Sequence, residues 1–255
     1  MKIWIKKNIW LLLLIFLASV IFGYSLTRVV DILWDWHCAD SVVSELQDSK
    51  NGKEAYIATL DEIITDVSAY EKYKDIYAIN NDMVGWVRIP ETNIDYPVVQ
   101  SVYEPEYYLY RDFYGNSNSS GTPFAQANCA VGLCGNTIIY GHNMSNNTVF
   151  SQLTNYTNKE YADKHPYIFF DTVTEYGVYE VCAAFSIDAT SNEFPFWEYL
   201  CSSDEELMEY AKLCNQNSYY NTGVNITKGD KLISLVTCEY THEQGRFILV
   251  AKKIA

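Results

Sequence analysis

The chain has 255 residues, 49% of them hydrophobic and 20% charged, with a formal net charge of −14. All 32 acidic residues follow position 30, whereas four of the 18 Lys and Arg (Lys2, Lys6, Lys7 and Arg28) precede it, so the larger part is strongly acidic and excludes nonspecific nucleic-acid binding. Seven cysteines leave at least one thiol unpaired in a monomer, and their spacing is not that of a metal finger, so neither metal nor cofactor is expected.

Asn8 to Thr27 is uncharged over a length that suffices to cross a bilayer, ~20 residues as a helix. Lys2, Lys6 and Lys7 ahead of it hold that end in the cytoplasm and leave the rest outside. A cleaved signal peptide is the competing reading. Its apolar core would be shorter, however, and Ala18 and Ser19 fall inside the run rather than after it, so residues 1–30 read as a cytoplasmic tip and an uncleaved anchor. Residues 31–80 carry apolar positions at spacings of three and four, from Ile32 to Leu46 and from Tyr56 to Tyr70. They predict two amphipathic helices, broken at the SKNG segment that ends at Gly52.

From residue 81 the period changes to that of strands, and 81–255 reads as one β domain without repeats or long linkers. Strands are expected at 84–89 and 94–100, and the Tyr-, Asn-, Ser- and Gly-rich segment from Tyr107 reads as a loop leading to a short strand near Thr122 to Gln126. The apolar run Thr137–Tyr140 ends just before His142. Helical signals follow at 149–153 and 159–164, then strands at 167–172 and 176–187. Ser203–Glu206 has the spacing of a capping box opening a helix. The last stretch, LISLVTCEYTHEQGRFILVAK, is two apolar runs around a short polar segment and predicts an antiparallel pair of strands.

In that pair Cys238 ends the first strand and Arg246 begins the second, ~5 Å apart across the ladder. A permanent cation beside a thiol favours the thiolate. Free Cys is also among the most buried residue types, and an Arg at a strand end is usually solvated, so the hairpin alone does not identify a nucleophile. Acyl transfer through a thiol needs a nucleophile, an acid for the leaving amine and a donor for the oxyanion; Cys238, His142 and Arg246 can supply all three. Of the other cysteines, Cys129 and Cys134 can form a local disulfide if the outside is oxidising, Cys182 reads as packing in a strand, and the pairing stays open.

NTIIYGHNM around His142, LISLVTCEY around Cys238 and GRFILVAK around Arg246 resemble, in order and spacing, the three signature segments of sortases, the cysteine transpeptidases of Gram-positive cell surfaces. Two helices before the β domain, a helix at about 203–216 and a single amino-terminal anchor look like class B. The resemblance implies a mainly β fold: an eight-stranded β-barrel with peripheral helices, preceded by a helical segment and a transmembrane anchor. It implies that Cys238 attacks the Thr carbonyl of an NPxTx-like sorting motif and that a cell-wall precursor amine resolves the thioacyl enzyme. It gives Arg246 the substrate carbonyl or oxyanion, Glu239 a backbone donor to the oxyanion, and Tyr140 and Asn143 places flanking the cleft. His142 would be the acid and base; as a departure from the family picture, His242 in the loop between Cys238 and Arg246 is a second histidine in reach of the sulfur. The partners implied are a sorting-signal peptide, a peptidoglycan precursor amine and the membrane. Two alternatives stay beside this reading: a pilus-polymerising sortase that uses a pilin Lys, and a non-catalytic adhesin that binds through the tyrosine-rich segment 103–114.

Overall fold

From Met83 onward the apolar runs pair into eight strands: β1 (Met83–Arg88), β2 (Asp95–Val99), β3 (Phe124–Ala125), β4 (Asn136–Tyr140), β5 (Tyr167–Thr172), β6 (Val178–Asp188), β7 (Leu232–Cys238) and β8 (Gly245–Lys253). This is a computed structural model, and it describes residues 2–51, 69–190, 194–240 and 244–255. The strands close into a barrel in the order β1-β2-β3-β4-β7-β8-β6-β5, the eight-stranded barrel that the resemblance implied. β4 and β7 are parallel neighbours with Tyr140 opposite Val236. β7 and β8 are antiparallel, and their last pair is Cys238 with Arg246.

Side chains of a strand alternate between its two faces, so each strand here serves two cores. Odd-numbered residues of β4, β7 and β8 (Ile139, Ile233, Leu235, Phe247, Leu249, Ala251) pack together with Val87, Ile168, Phe170 and the turn residues Phe150, Leu153 and Tyr156. Even-numbered residues of the same strands (Ile138, Leu232, Val236, Ile248, Val250) pack with Phe194, Phe196, Leu207, Tyr210 and Cys214. The second cluster owes its cover to a helix, α4 (Asp204–Asn217). Ser203 caps α4 by accepting from the amide of Glu206, as the sequence predicts, while the Glu206 carboxylate reaches back to the amides of Cys201 and Ser202. On the same face the Tyr210 hydroxyl meets Ser234 Oγ at 2.8 Å, and Ser234 donates to Asn136 Oδ1 at 2.9 Å, so the buried polar atoms are paired. α4 covers the base of the face, and His142, Cys238 and Arg246 continue its rows past that cover.

Among the helices, α1 runs over Lys2–Asn51, α2 over Ala69–Ile79 and α3 over Lys159–Lys164. The apolar run and the first of the two amphipathic stretches are thus one continuous helix as far as Asn51, through the first three residues of the SKNG segment; Gly52, at which the expected break ends, lies outside the described residues. Tyr56 to Val67, the apolar face expected of the second helix, lie outside the described residues. Met1–Ser41 and Val42–Ala255 form separate units. The first contains a stretch long and apolar enough to cross a membrane, with a mean hydropathy of 2.0 and exposed Leu14, Phe16 and Phe22 along it.

In the second unit Leu46, Tyr73 and Ile76 pack against Trp86 and Met83. Lys50 is 6% exposed; its amine donates to Asp95 Oδ1 at 2.6 Å, and the indole of Trp86 donates to the same oxygen. Burial lowers the Lys50 pKa and Asp95 opposes that shift, the balance of a charge kept inside by its partner. The short strand expected over 122–126 narrows to Phe124–Ala125, because only those two residues find ladder partners, on β2 and β4. The helical signal at 149–153 becomes a 3₁₀ segment, Ser151–Thr157.

Candidate active site

The parallel register of β4 and β7 brings together residues 96 positions apart in the sequence. Beyond the pair Tyr140/Val236, Gly141 N donates to Val236 O at 3.0 Å, and Thr237 Oγ1 donates to Gly141 O at 2.8 Å. Continued one step past these bonds, the register brings His142 alongside Cys238, and Arg246 is opposite Cys238 on the other flank. The three stand in adjacent rows of one sheet face, at its open end, and all are half-buried. Asn143 ties the two segments: its Nδ2 donates to Cys238 O at 2.8 Å. Tyr240 closes the tie from the other side, its hydroxyl donating to Asn143 O at 2.9 Å.

His142 is fixed at both ends. Its carbonyl accepts from Phe150 N at 3.0 Å, and its ring Nε2 lies 2.7 Å from Leu109 O. A carbonyl oxygen only accepts, so Nε2 carries the hydrogen in this contact and Nδ1 is left for proton exchange. The ring also leans on Tyr110, with centroids 5.4 Å apart and planes at 39°. Both supports come from the 3₁₀ turn Tyr107–Tyr110 inside the segment that reads from sequence as a tyrosine-rich loop. Nothing in the sequence pattern marks Leu109, since its contribution is a backbone carbonyl. Tyr110 carried a signal only as one of several neighbouring tyrosines.

Glycines precede both His142 and Arg246 for steric reasons. A Cβ on Gly141 would stand 2.6 Å from the Phe150 ring, and one on Gly245 would stand 2.4 Å from Glu239 O. Gly245 O accepts from Arg246 Nη1 at 3.0 Å and from Glu239 N at 2.9 Å. The Glu239 amide, read from the resemblance as an oxyanion donor, is therefore spent on the β7–β8 ladder. The Tyr140 hydroxyl donates to Gln126 Oε1 at 2.7 Å, and its ring stacks on Phe124, with centroids 5.6 Å apart. Burial pushes its pKa well above the ordinary tyrosine value, and the Arg246 charge opposes that shift. His242 lies outside the described residues.

Beside Tyr110 opens a cavity of about 720 Å³, walled also by Glu104, Glu106, Tyr107 and Arg111. The Arg111 guanidinium is engaged there, 4.6 Å over the Tyr107 ring and donating to Gly115 O.

A family model described as a sortase domain matches residues 87–254. Sortase B of Listeria monocytogenes is 31% identical over 188 residues, covering 72% of this chain and 74% of that protein. Among solved structures, a Staphylococcus aureus sortase B–substrate complex superimposes with a TM-score of 0.71 at 26% identity, covering 84% of this chain and 95% of the other. A sortase B complexed with triglycine gives the same TM-score and identity, covering 84% and 96%.

Proposed function

This chain belongs to the sortase family, is a cysteine transpeptidase most like class B, and we propose that it is membrane-anchored and joins proteins bearing an NPxTx-like sorting motif to a cell-wall amine. The observation that supports the assignment of roles is the pairing of Cys238 with Arg246, together with the parallel β4–β7 register that, continued two residues past Tyr140 and Val236, brings His142 to the other side of Cys238. The Cys238 thiolate attacks the Thr carbonyl, and the Arg246 guanidinium donates to the oxygen as it gains charge. The C–N bond breaks, and His142 gives the departing nitrogen a proton from Nδ1 while Leu109 O holds Nε2. What remains is a thioester on Cys238. An acceptor amine then attacks it, returns a proton to His142, and releases the thiolate.

Arg246 suits the oxyanion because its fork is rigid and always charged. With the Glu239 amide engaged by Gly245 O, the donation rests on Arg246. Tyr140 and Asn143 shape the cleft, Asn143 by holding the end of β7. The cavity beside Tyr110 offers the acceptor room, and the carboxylates of Glu104 and Glu106 on its wall favour an ammonium. A substrate complex and a triglycine complex among the related structures support a peptide donor and an amine acceptor. α1, ahead of the barrel, serves as the single-pass anchor, with Lys2, Lys6 and Lys7 inside and the barrel outside.

The test incubates the full chain in detergent with NPxTx- and LPxTG-type peptides, with and without triglycine, and reads products by mass spectrometry. Cleavage after Thr of the NPxTx peptide, with the amine joined to the new end, is expected. Preference for LPxTG would overturn the motif, and absence of any cleavage would overturn the function.

A further inference from the structure

Cys129 and Cys134 lie in the turn ahead of β4, at the end of the strand opposite His142, with their sulfurs 2.6 Å apart. That is inside ordinary contact for two thiols and about half an ångström beyond a disulfide bond of ~2.05 Å. Both sulfurs face one carbonyl, Asn136 O, at 3.7 and 3.3 Å, and Cys134 also meets Thr137 Oγ1 at 3.6 Å. Lys231, just ahead of β7, donates from Nζ to Leu133 O at 2.6 Å and to Cys134 O at 3.2 Å, which sets a cation beside the turn. The two cysteines differ in access. Cys129 is 4% exposed, whereas Cys134 is half-buried and forms part of the wall of a cavity of about 150 Å³ with Lys231 and Thr137.

We infer that Cys129 and Cys134 form a redox-active pair that closes to a disulfide by exchange with a low-molecular-weight disulfide, Cys134 attacking first and Cys129 resolving. The inference goes beyond transpeptidation and rests on the proposed function only for the outward placement of the barrel. In the first step the Cys134 thiolate bonds to one sulfur of the external disulfide and expels the other as a thiolate. In the second, Cys129 loses its proton, attacks Cys134 Sγ and expels the second external thiol. Two protein thiols are oxidised and one external disulfide is reduced to two thiols.

Access and charge favour that order. The hydrogen bond from Cys129, with help from Thr137 and the Lys231 charge, holds the Cys134 thiol down to about 7. Donating that bond and being buried push the Cys129 thiol far up. An acidic, reachable attacker beside a buried resolver is the arrangement that exchange requires. Cys182 and Cys201 are buried with thiols pushed up to about 12, and Cys214 is buried and raised further, so they are set apart from this chemistry. Closure would brace the connection whose Gln126 accepts from the Tyr140 hydroxyl and donates to Trp197 O.

The full chain in detergent is exposed to glutathione disulfide, quenched with N-ethylmaleimide and peptide-mapped. The peptide containing both cysteines should lose two hydrogens and escape alkylation, at a rate that rises as pH passes about 7 and levels off above it. Cys129→Ser should accumulate glutathione on Cys134, whereas Cys134→Ser should react at Cys129 at least ~10-fold more slowly. The oxidised protein should melt about 4 °C above the reduced one, and the double Ser variant should lose this difference. Two alkylated thiols in the wild-type map, or a bond from Cys134 to Cys201, would overturn the pair. Equal rates in the single variants would overturn the order of attack. Motif-peptide cleavage, read on the same samples, separates a failure here from a failure of the proposed function.

Discussion

At the carboxyl end of β7, Cys238 faces Arg246 across the ladder, and just past the end of the parallel neighbour β4 comes His142, next to Asn143, which holds Cys238 O. At the amino ends of the same two strands, Cys134 has Lys231 nearby and a second thiol, Cys129, in contact. Each end pairs sulfur with a cation, and the third partner separates them. A histidine can pass a proton to a leaving nitrogen; a second thiol, once deprotonated, can attack sulfur and close a disulfide. The covering differs too, because α4 and Asn136 close the face at its base and leave it open at Cys238. A thiol beside a positive charge is therefore a poor predictor of acyl transfer until the neighbouring strand is known.

The sharpest way to break this comparison is to remove each sulfur. Cys238→Ala should lower peptide cleavage by ~10⁴-fold or more with the circular dichroism spectrum unchanged, while Cys134→Ala should leave reduced-enzyme cleavage within about twofold. Next come the histidines. His142→Ala should fall to background in the cleavage assay and His242→Ala should keep most activity, since the acid has to be held in place and His142 is gripped by Leu109 O and Phe150 N.

The cations should then part company. Arg246→Lys keeps the charge and loses the fork, so kcat/KM should drop by ~100-fold, the scale of losing an oxyanion donor. Lys231→Met should leave kcat/KM alone and slow disulfide exchange at Cys134. A smaller effect is expected for Tyr110→Ala, which frees one side of the His142 ring and should lower kcat by about tenfold through looser positioning. The smallest effect on chemistry and a clear one on stability should come from Gly245→Ala. Its Cβ would meet Glu239 O, and thermal melting should report a loss of about 1–3 kcal/mol.

Most strands were legible because their alternation is strong, and the pairing of Cys238 with Arg246 followed from a short hairpin. The residues pointed only weakly to a meeting of His142 and Cys238, as two strand ends able to share a rim, since a parallel pairing across nearly a hundred positions leaves no local mark; the family resemblance supplied the rest. The grip of Leu109 on His142 is a backbone contact and invisible in any side-chain pattern. Glu239 shows the converse: its position beside the nucleophile suggested a donor, and the register commits its amide to Gly245 O. α1 continues past Asp31 because a change from apolar to amphipathic composition alters what a helix packs against, not whether it stays helical. The capping signal at Ser203 was readable because it is local chemistry between the cap and Glu206.

The most direct test of the central claim is to locate the acyl group. The full chain in detergent is incubated with the NPxTx-type peptide without an acceptor amine, quenched in acid, and digested for mass spectrometry. The account predicts a hydroxylamine-sensitive adduct on Cys238 alone, with Cys129 and Cys134 unacylated and the adduct absent in Cys238→Ala. An adduct on Cys134, or turnover of the peptide by folded Cys238→Ala, would contradict it.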